Sequence, residues 1–335
     1  MSNKKALVPH SSTELATFEF EGHKLPAVIL ATGREGAEEF LNFFAGMIRN
    51  ANTRQAYLRA WSRFDDWCNQ SGLNHLSEIR PLHVATYIEL VSKELSASSV
   101  KQHRAALSKC FDFLVVRQIV PSNPVASVAG PKLKISKGKT PTLTDEEFLD
   151  LMDSIPTDTL IGLRDRAFIT LLAYTWPRVS AAVGLRVKDY YPKGKRWYVQ
   201  LGEKGGKENN QLVHHKAQDA LDDYLKAAEL TNSPALPIFQ SFNRQRELSG
   251  QALNRRDALA MVKRRAKKAG LHHEKVCNHS FRATGITNYM GNGGRIDVAQ
   301  EWANHSDSRT TGLYDHSSDK VSLEEVERIR FERDC

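Results

Sequence analysis

His279-Ser280-Phe281-Arg282, then Asn304-His305, then Thr310-Thr311-Gly312-Leu313-Tyr314 is the stretch on which the reading of this chain turns. His279 and Arg282 stand three residues apart, so a helix there presents both on one face. His305 follows Arg282 by 23 residues, and Tyr314 follows His305 by 9. Upstream lie Arg178, in Trp176-Pro177-Arg178-Val179-Ser180, and Lys204, in Gly202-Glu203-Lys204-Gly205-Gly206-Lys207-Glu208. Two arginines, two histidines, one lysine and one tyrosine suit attack on a phosphodiester without a metal. Guanidinium and imidazole groups donate to the non-bridging oxygens, where charge builds in the transition state. A lysine can protonate the leaving 5′-oxygen. A tyrosine hydroxyl can attack phosphorus and hold the strand covalently.

This order and spacing resembles the tyrosine recombinases of the phage integrase family, whose signature runs Arg, Lys, His-x-x-Arg, His or Trp, Tyr. Six positions agree in type and order, whereas an isolated His-x-x-Arg would carry little. The resemblance spans roughly residues 40–330 and is strict only in the second half. It implies catalytic roles for Arg178, Lys204, His279, Arg282, His305 and Tyr314, with Tyr314 as nucleophile. Lys204 is preferred to Lys207 as general acid because the family uses the first lysine of that turn. Two departures stand out. The family usually has an acidic residue where Ala181 stands, and glycine where Asn304 stands. Asparagine tolerates left-handed backbone, so the turn at 304 can survive.

The resemblance further implies a helical core-binding domain and an α+β catalytic domain that clamp duplex DNA as a C. Its partners would be double-stranded DNA carrying an inverted-repeat core site and further copies of the same chain. Two protomers would sit on a core site and four at synapsis. Strand exchange would pass through a 3′-phosphotyrosine intermediate and a four-way junction, with no ATP and no cofactor. A type IB topoisomerase-like enzyme and a catalytically decayed DNA-binding regulator are the competing readings. The six retained groups speak against the second.

Bulk properties agree with this direction. A chain of 335 residues is long for one domain and comfortable for two. With 41% hydrophobic and 26% charged residues, a folded globular protein is expected. A net charge of +8 suits a polyanionic partner. The four cysteines, Cys68, Cys110, Cys277 and Cys335, include no Cys-x-x-Cys pair, which argues against a zinc site or a disulfide framework. The opening residues lack a signal-peptide core, and no apolar run reaches a membrane-spanning length. The expected setting is the bacterial cytoplasm, at the nucleoid.

Four segments are expected. Residues 1–35, with Pro9, Pro26, Gly22 and Gly33 and no sustained period, read as a flexible arm with one short strand. Residues 36–130 read as an all-helical DNA-binding domain. Tyr57, Ala60, Trp61, Phe64 and Trp67 follow one helical stripe, with Arg54, Arg59 and Arg63 turned outward. Val100, His103, Leu107, Cys110 and Leu114 follow another, with Lys101, Arg104 and Lys109 on other faces, and Pro81 opens a helix to about Lys93. Residues 131–141 are a basic linker with Lys132, Lys134, Lys137 and Lys139, read as a strap along DNA phosphates.

Residues 142–335 form the catalytic domain. Thr144 and Glu147 make a capping box, with Leu143 and Phe148 as its staple. Strands at 197–201 and 211–214 form a hairpin around Lys204. Arg255, Arg256, Arg264 and Arg265 belong to a basic helix expected to face DNA. After Tyr314, polar residues 315–320 lead to a capped helix at about 321–331. Its stripe Leu323, Val326 and Ile329 needs a partner surface, expected on a neighbouring protomer.

Overall fold

The computed structural model describes residues 19–132, 140–202, 208–272 and 274–304. The chain divides into two compact units, Met1–Lys134 and Ile135–Cys335. The first is helical apart from one minimal hairpin, and the second mixes helices with small antiparallel sheets.

Unit 1 starts earlier than its sequence pattern implies. β1 (Glu19–Phe20) pairs with β2 (His23–Lys24), then come α1 (Ala27–Leu30) and α2 (Gly33–Asn42). Residues 19–35 are therefore part of the folded unit and not a flexible arm. Leu25, Val28 and Ile29 are buried in its core, and Asp65 accepts the exposed N–H groups at the start of α1, from Ala27 (2.9 Å) and Val28 (3.2 Å). A four-residue helix is too short to show a period, so only its burial reveals it.

α3 (Ala51–Gln70), α4 (Pro81–Glu94) and α5 (Ala97–Val116) complete the unit. Tyr57, Ala60, Trp61 and Phe64 are buried, and Trp67 packs against this core. Val100, Leu107, Cys110 and Leu114 are buried with them. Asn50 and Ser96 cap α3 and α5 by accepting from the N–H groups of Thr53 and Ser99.

Unit 2 is built around α7 (Leu160–Thr175), which is buried on nearly all sides through Phe168, Ile169, Leu171 and Leu172. α6 (Asp145–Asp153) precedes it and begins with the expected box. Thr144 Oγ1 accepts the Glu147 N–H at 3.1 Å, and the Glu147 carboxylate accepts the Thr144 N–H at 2.9 Å. α8 (Val179–Gly184) leads to the sheet β3 (Tyr190–Lys193), β4 (Arg196–Gly202), β5 (Glu208–Leu212). The register sets Tyr198 opposite Leu212 and Gly202 opposite Glu208. The second strand thus begins earlier than expected and stops before His214, whose ring instead caps α9 (His215–Ala227) by accepting the Lys216 N–H at 3.2 Å.

A further hairpin, β6 (Gln240–Phe242) with β7 (Leu248–Ala252), precedes α10 (Arg255–Lys268), α11 (Asn278–Gly291) and α12 (Ile296–Trp302). Helices α9 and α11 both pack on α7. The helix expected near 321–331, the 315–320 hinge and most of the linker lie outside the described residues. No described helix is long and apolar enough to cross a membrane.

One ion cluster ties this unit together. Asp165, 1% exposed, accepts from Arg164 at 2.6 Å and from Arg265 of α10 at 2.7 Å. Arg164 also donates to the Gln240 carbonyl at 2.9 Å and lies over the Phe242 ring. Removing the acid would leave a buried guanidinium without its counter-charge. Asp165→Ala should therefore lower stability by about 3–5 kcal/mol, read as a fall in the denaturation midpoint. A midpoint equal to wild type would refute this role.

Candidate active site

Helix α7 ends at Trp176, which adopts a left-handed conformation (φ 53°, ψ 35°). The chain reverses through the buried Pro177, and Arg178 stands exposed at the N-cap of α8. On the adjoining α11, His279 is exposed and Arg282 is buried (2% exposed). The sequence thus sends one arginine to the surface and one beneath it, with the histidine beside them.

The end of α12 holds both arginines. Arg282 donates through Nη1 to the Trp176 carbonyl and through Nη2 to the Ala303 carbonyl at 2.5 Å. Arg178 Nη2 donates to the Asn304 carbonyl at 3.3 Å. Gln211, from β5, donates to the Trp302 carbonyl. Three successive carbonyls, 302 to 304, therefore each accept from a different strand or helix. Carbonyls at a helix C-terminus lack partners within the helix and carry partial negative charge, so cations gather there naturally. Asn304 has φ 50°, the left-handed turn that asparagine accommodates in place of glycine. The Asn304 carbonyl supplies Arg178 with support. Ala181, where the family usually has an acid, is a buried residue of α8 lining a cavity of about 340 Å³ with Lys188, Asp189 and Gln200.

His279 titrates below the ordinary histidine range. Crowding of its ring by protein is the first cause, and the charges of Arg282 and Arg178 add to it. The residue keeps a solvent-exposed face, and the two charges act on it at close range. Near neutral pH the ring is mostly neutral and can accept a proton. An arriving phosphate would reverse the shift.

The structure gathers Arg178, His279 and Arg282. Lys204, His305 and Tyr314 lie outside the described residues. Lys204 falls between β4 and β5 in sequence, and His305 directly follows Asn304. Gln211 and Trp176 are part of the site yet escaped the sequence reading: glutamine on a strand gives no signal, and nothing in a tryptophan announces a left-handed turn. No cluster of three or more His, Cys, Asp or Glu that could hold a metal occurs among the described residues.

The candidate DNA contacts divide. Arg59, Lys101, Lys132, Arg255, Arg256 and Arg264 are exposed. Arg63 pairs at the surface with Glu94, a contact weak enough to open. Three further candidates have partners within the protein. Arg54 is half-buried, bound to Glu21 and to the Ile48 carbonyl (2.8 Å). Arg104 is half-buried and donates to the Val128 carbonyl at 2.5 Å, fastening the 125–128 segment. Arg265 belongs to the Asp165 cluster. Lys134, Lys137 and Lys139 lie outside the described residues.

Known proteins resemble this chain in sequence and in fold. The model of the phage integrase family matches residues 141–321, and that of the phage integrase N-terminal SAM-like domain matches 38–118. Tyrosine recombinase XerD of Corynebacterium glutamicum is 30% identical over 288 residues, covering 83% of this chain and 91% of that protein. XerH site-specific recombinase bound to palindromic difH substrate, in a post-cleavage complex, superposes with a TM-score of 0.69 at 19% identity, over 95% of this chain and 93% of that one. A lambda integrase (75–356) dimer bound to a COC′ core site gives 0.63 at 19% identity, over 89% and 98%. At such identities the structural likeness is one of fold.

The helical unit, the α+β unit and the paired arginines define the architecture of a tyrosine recombinase. The chain belongs to the phage integrase family. It is a site-specific DNA recombinase, an enzyme that breaks and rejoins DNA.

Proposed function

We propose that Tyr314 attacks a scissile phosphate held by Arg178 and Arg282 and forms a 3′-phosphotyrosine while the 5′-oxygen leaves. The observation that supports this is the convergence of Arg178 and Arg282 on the 302–304 turn, with His279 near enough for both charges to act on it and His305 next in sequence. The Arg282 guanidinium, held by the Trp176 and Ala303 carbonyls, would turn its remaining N–H bonds to the phosphate, and Arg178 adds a surface-facing charge. The neutral His279 ring can take the tyrosine proton as the bond to phosphorus forms. His305 would donate to a non-bridging oxygen, and Lys204 would protonate the leaving 5′-oxygen. Guanidinium groups do here what a divalent cation does in other phosphoryl-transfer enzymes.

The partners in this reading are duplex DNA with an inverted-repeat core site and three further copies of the chain, two protomers per core site and four at synapsis. The DNA-bound and dimeric states of the structures named above support it, as does the net charge of +8. The helix expected near 321–331 would dock on the neighbouring protomer. The bacterial relative supports a place in the bacterial cytoplasm, with action at the nucleoid.

The test uses a nicked duplex carrying the site that the protein itself selects from a randomised library. A covalent protein–DNA adduct should accumulate in excess EDTA. An adduct that vanishes in EDTA and returns with magnesium would contradict the mechanism.

A further inference from the structure

We propose that Trp176 is a positioning residue for Arg282, and that its left-handed backbone is the means by which the carbonyl is aimed. This rests on the catalytic reading of Arg282. Six described non-glycine residues have positive φ: Glu21, Gln118, Trp176, Glu229, Arg246 and Asn304. The other five are polar residues that are exposed or half-exposed, while Trp176 is bulky and 3% exposed. A large side chain adopts this conformation rarely, and it persists only where surrounding structure enforces it.

The enforcement is visible. Trp176 belongs to a small apolar cluster of its own, distinct from the main core of unit 2, with Ala283, Ile286, Ala299 and Ala303. Its indole lies 4.7 Å from the Trp302 ring, tilted, and 5.5 Å from Tyr289, edge-on. It also lies on Gly285, where an added Cβ would come within 1.9 Å of the Ala173 carbonyl oxygen and 2.2 Å of the indole nitrogen. Gly285 is three residues from Arg282 on α11. The glycine therefore lets the indole settle against the very helix that carries the arginine.

The consequence falls on two carbonyls. Left-handed backbone at 176 takes the chain out of α7 and turns the Trp176 carbonyl onto Arg282 Nη1. The ring contact to Trp302 ties this carbonyl to the neighbouring turn, where the Ala303 carbonyl takes Nη2. Both amino groups of the fork are thus referenced to the Trp176–Trp302 pair. A guanidinium displaced by about 1 Å from its phosphate costs on the order of 10²-fold in rate.

The test compares cleavage of two nicked duplexes of the self-selected site, one with the natural phosphodiester and one with a methylphosphonate at the scissile position. In both, the tyrosine oxygen bonds to phosphorus, the bond to the 5′-oxygen breaks, and that oxygen takes a proton. The methylphosphonate lacks one anionic oxygen and so depends less on a placed guanidinium. Trp176→Ala should cleave the phosphodiester about 10²-fold more slowly, cleave the methylphosphonate at the wild-type rate, and bind DNA as wild type does. Trp176→Phe, which keeps a ring, should fall between; if Trp176→Ala melts below the assay temperature, the Phe variant decides by the same ratio.

Equal losses on both substrates would mean general structural damage and overturn the proposal. So would wild-type cleavage of the phosphodiester by the Ala variant, provided Arg282→Ala shows the selective loss. If Arg282→Ala shows none, or the wild-type chain forms no adduct, the catalytic reading fails and this inference falls with it.

Discussion

Tyr314→Phe should abolish covalent adduct formation on a nicked substrate while leaving DNA affinity close to that of the wild-type chain. Only the hydroxyl is lost, and the exposed basic residues proposed to contact DNA are spread over both units, from Arg59 and Lys101 to Arg255, Arg256 and Arg264. Deleting a nucleophile from a catalytic set costs up to about 10⁶-fold, which puts the variant below detection. Denaturing gel electrophoresis of the reaction reads the adduct, and a gel-shift titration reads the affinity. Persistent adducts would remove Tyr314 from its role. Loss of binding together with cleavage would show a structural part for the ring.

The second large effect belongs to the hairpin. Lys204→Ala should slow cleavage by about 10²–10⁴-fold, the range for loss of a general acid, and Lys207→Ala should do much less. A substrate with sulfur in place of the bridging 5′-oxygen expels a leaving group that needs no proton. That substrate should restore Lys204→Ala to near the wild-type rate. Matching defects in the two lysine variants, or failure of the sulfur substrate to rescue, would move the acid elsewhere.

The elements that were readable in the sequence each have a local physical signature. The Thr144 box formed as its four residues require. Asn304 took the left-handed turn that asparagine tolerates. The pairing of β4 with β5 followed from two short apolar runs separated by a glycine-containing polar segment. What escaped depended on partners distant in sequence. Residues 19–35 carry no period because their burial comes from Asp65 and the core around it. β3 was hidden by Pro192 and by being only four residues long.

The internal partners of three arginines could have been suspected. Arg54 stands three and four residues before the buried Tyr57 and Leu58, and Arg104 four after the buried Val100 and three before Leu107. Arg265 follows the buried Met261 by four. Each thus lies beside the face that its helix buries. A count of basic residues ignores such internal partners.

The grip of the 302–304 carbonyls has a bearing on safety. Arg178 and Asn304 are 126 residues apart in the chain, Arg282 and Trp176 are 106 apart, and Gln211 and Trp302 are 91 apart. Contacts of such separation close late, because the entropy of bringing distant segments together must first be overcome. In the proposed mechanism a nascent or half-folded chain would have its tyrosine but not the cationic cradle that arms it. An enzyme that breaks DNA would then stay idle until its folding is complete.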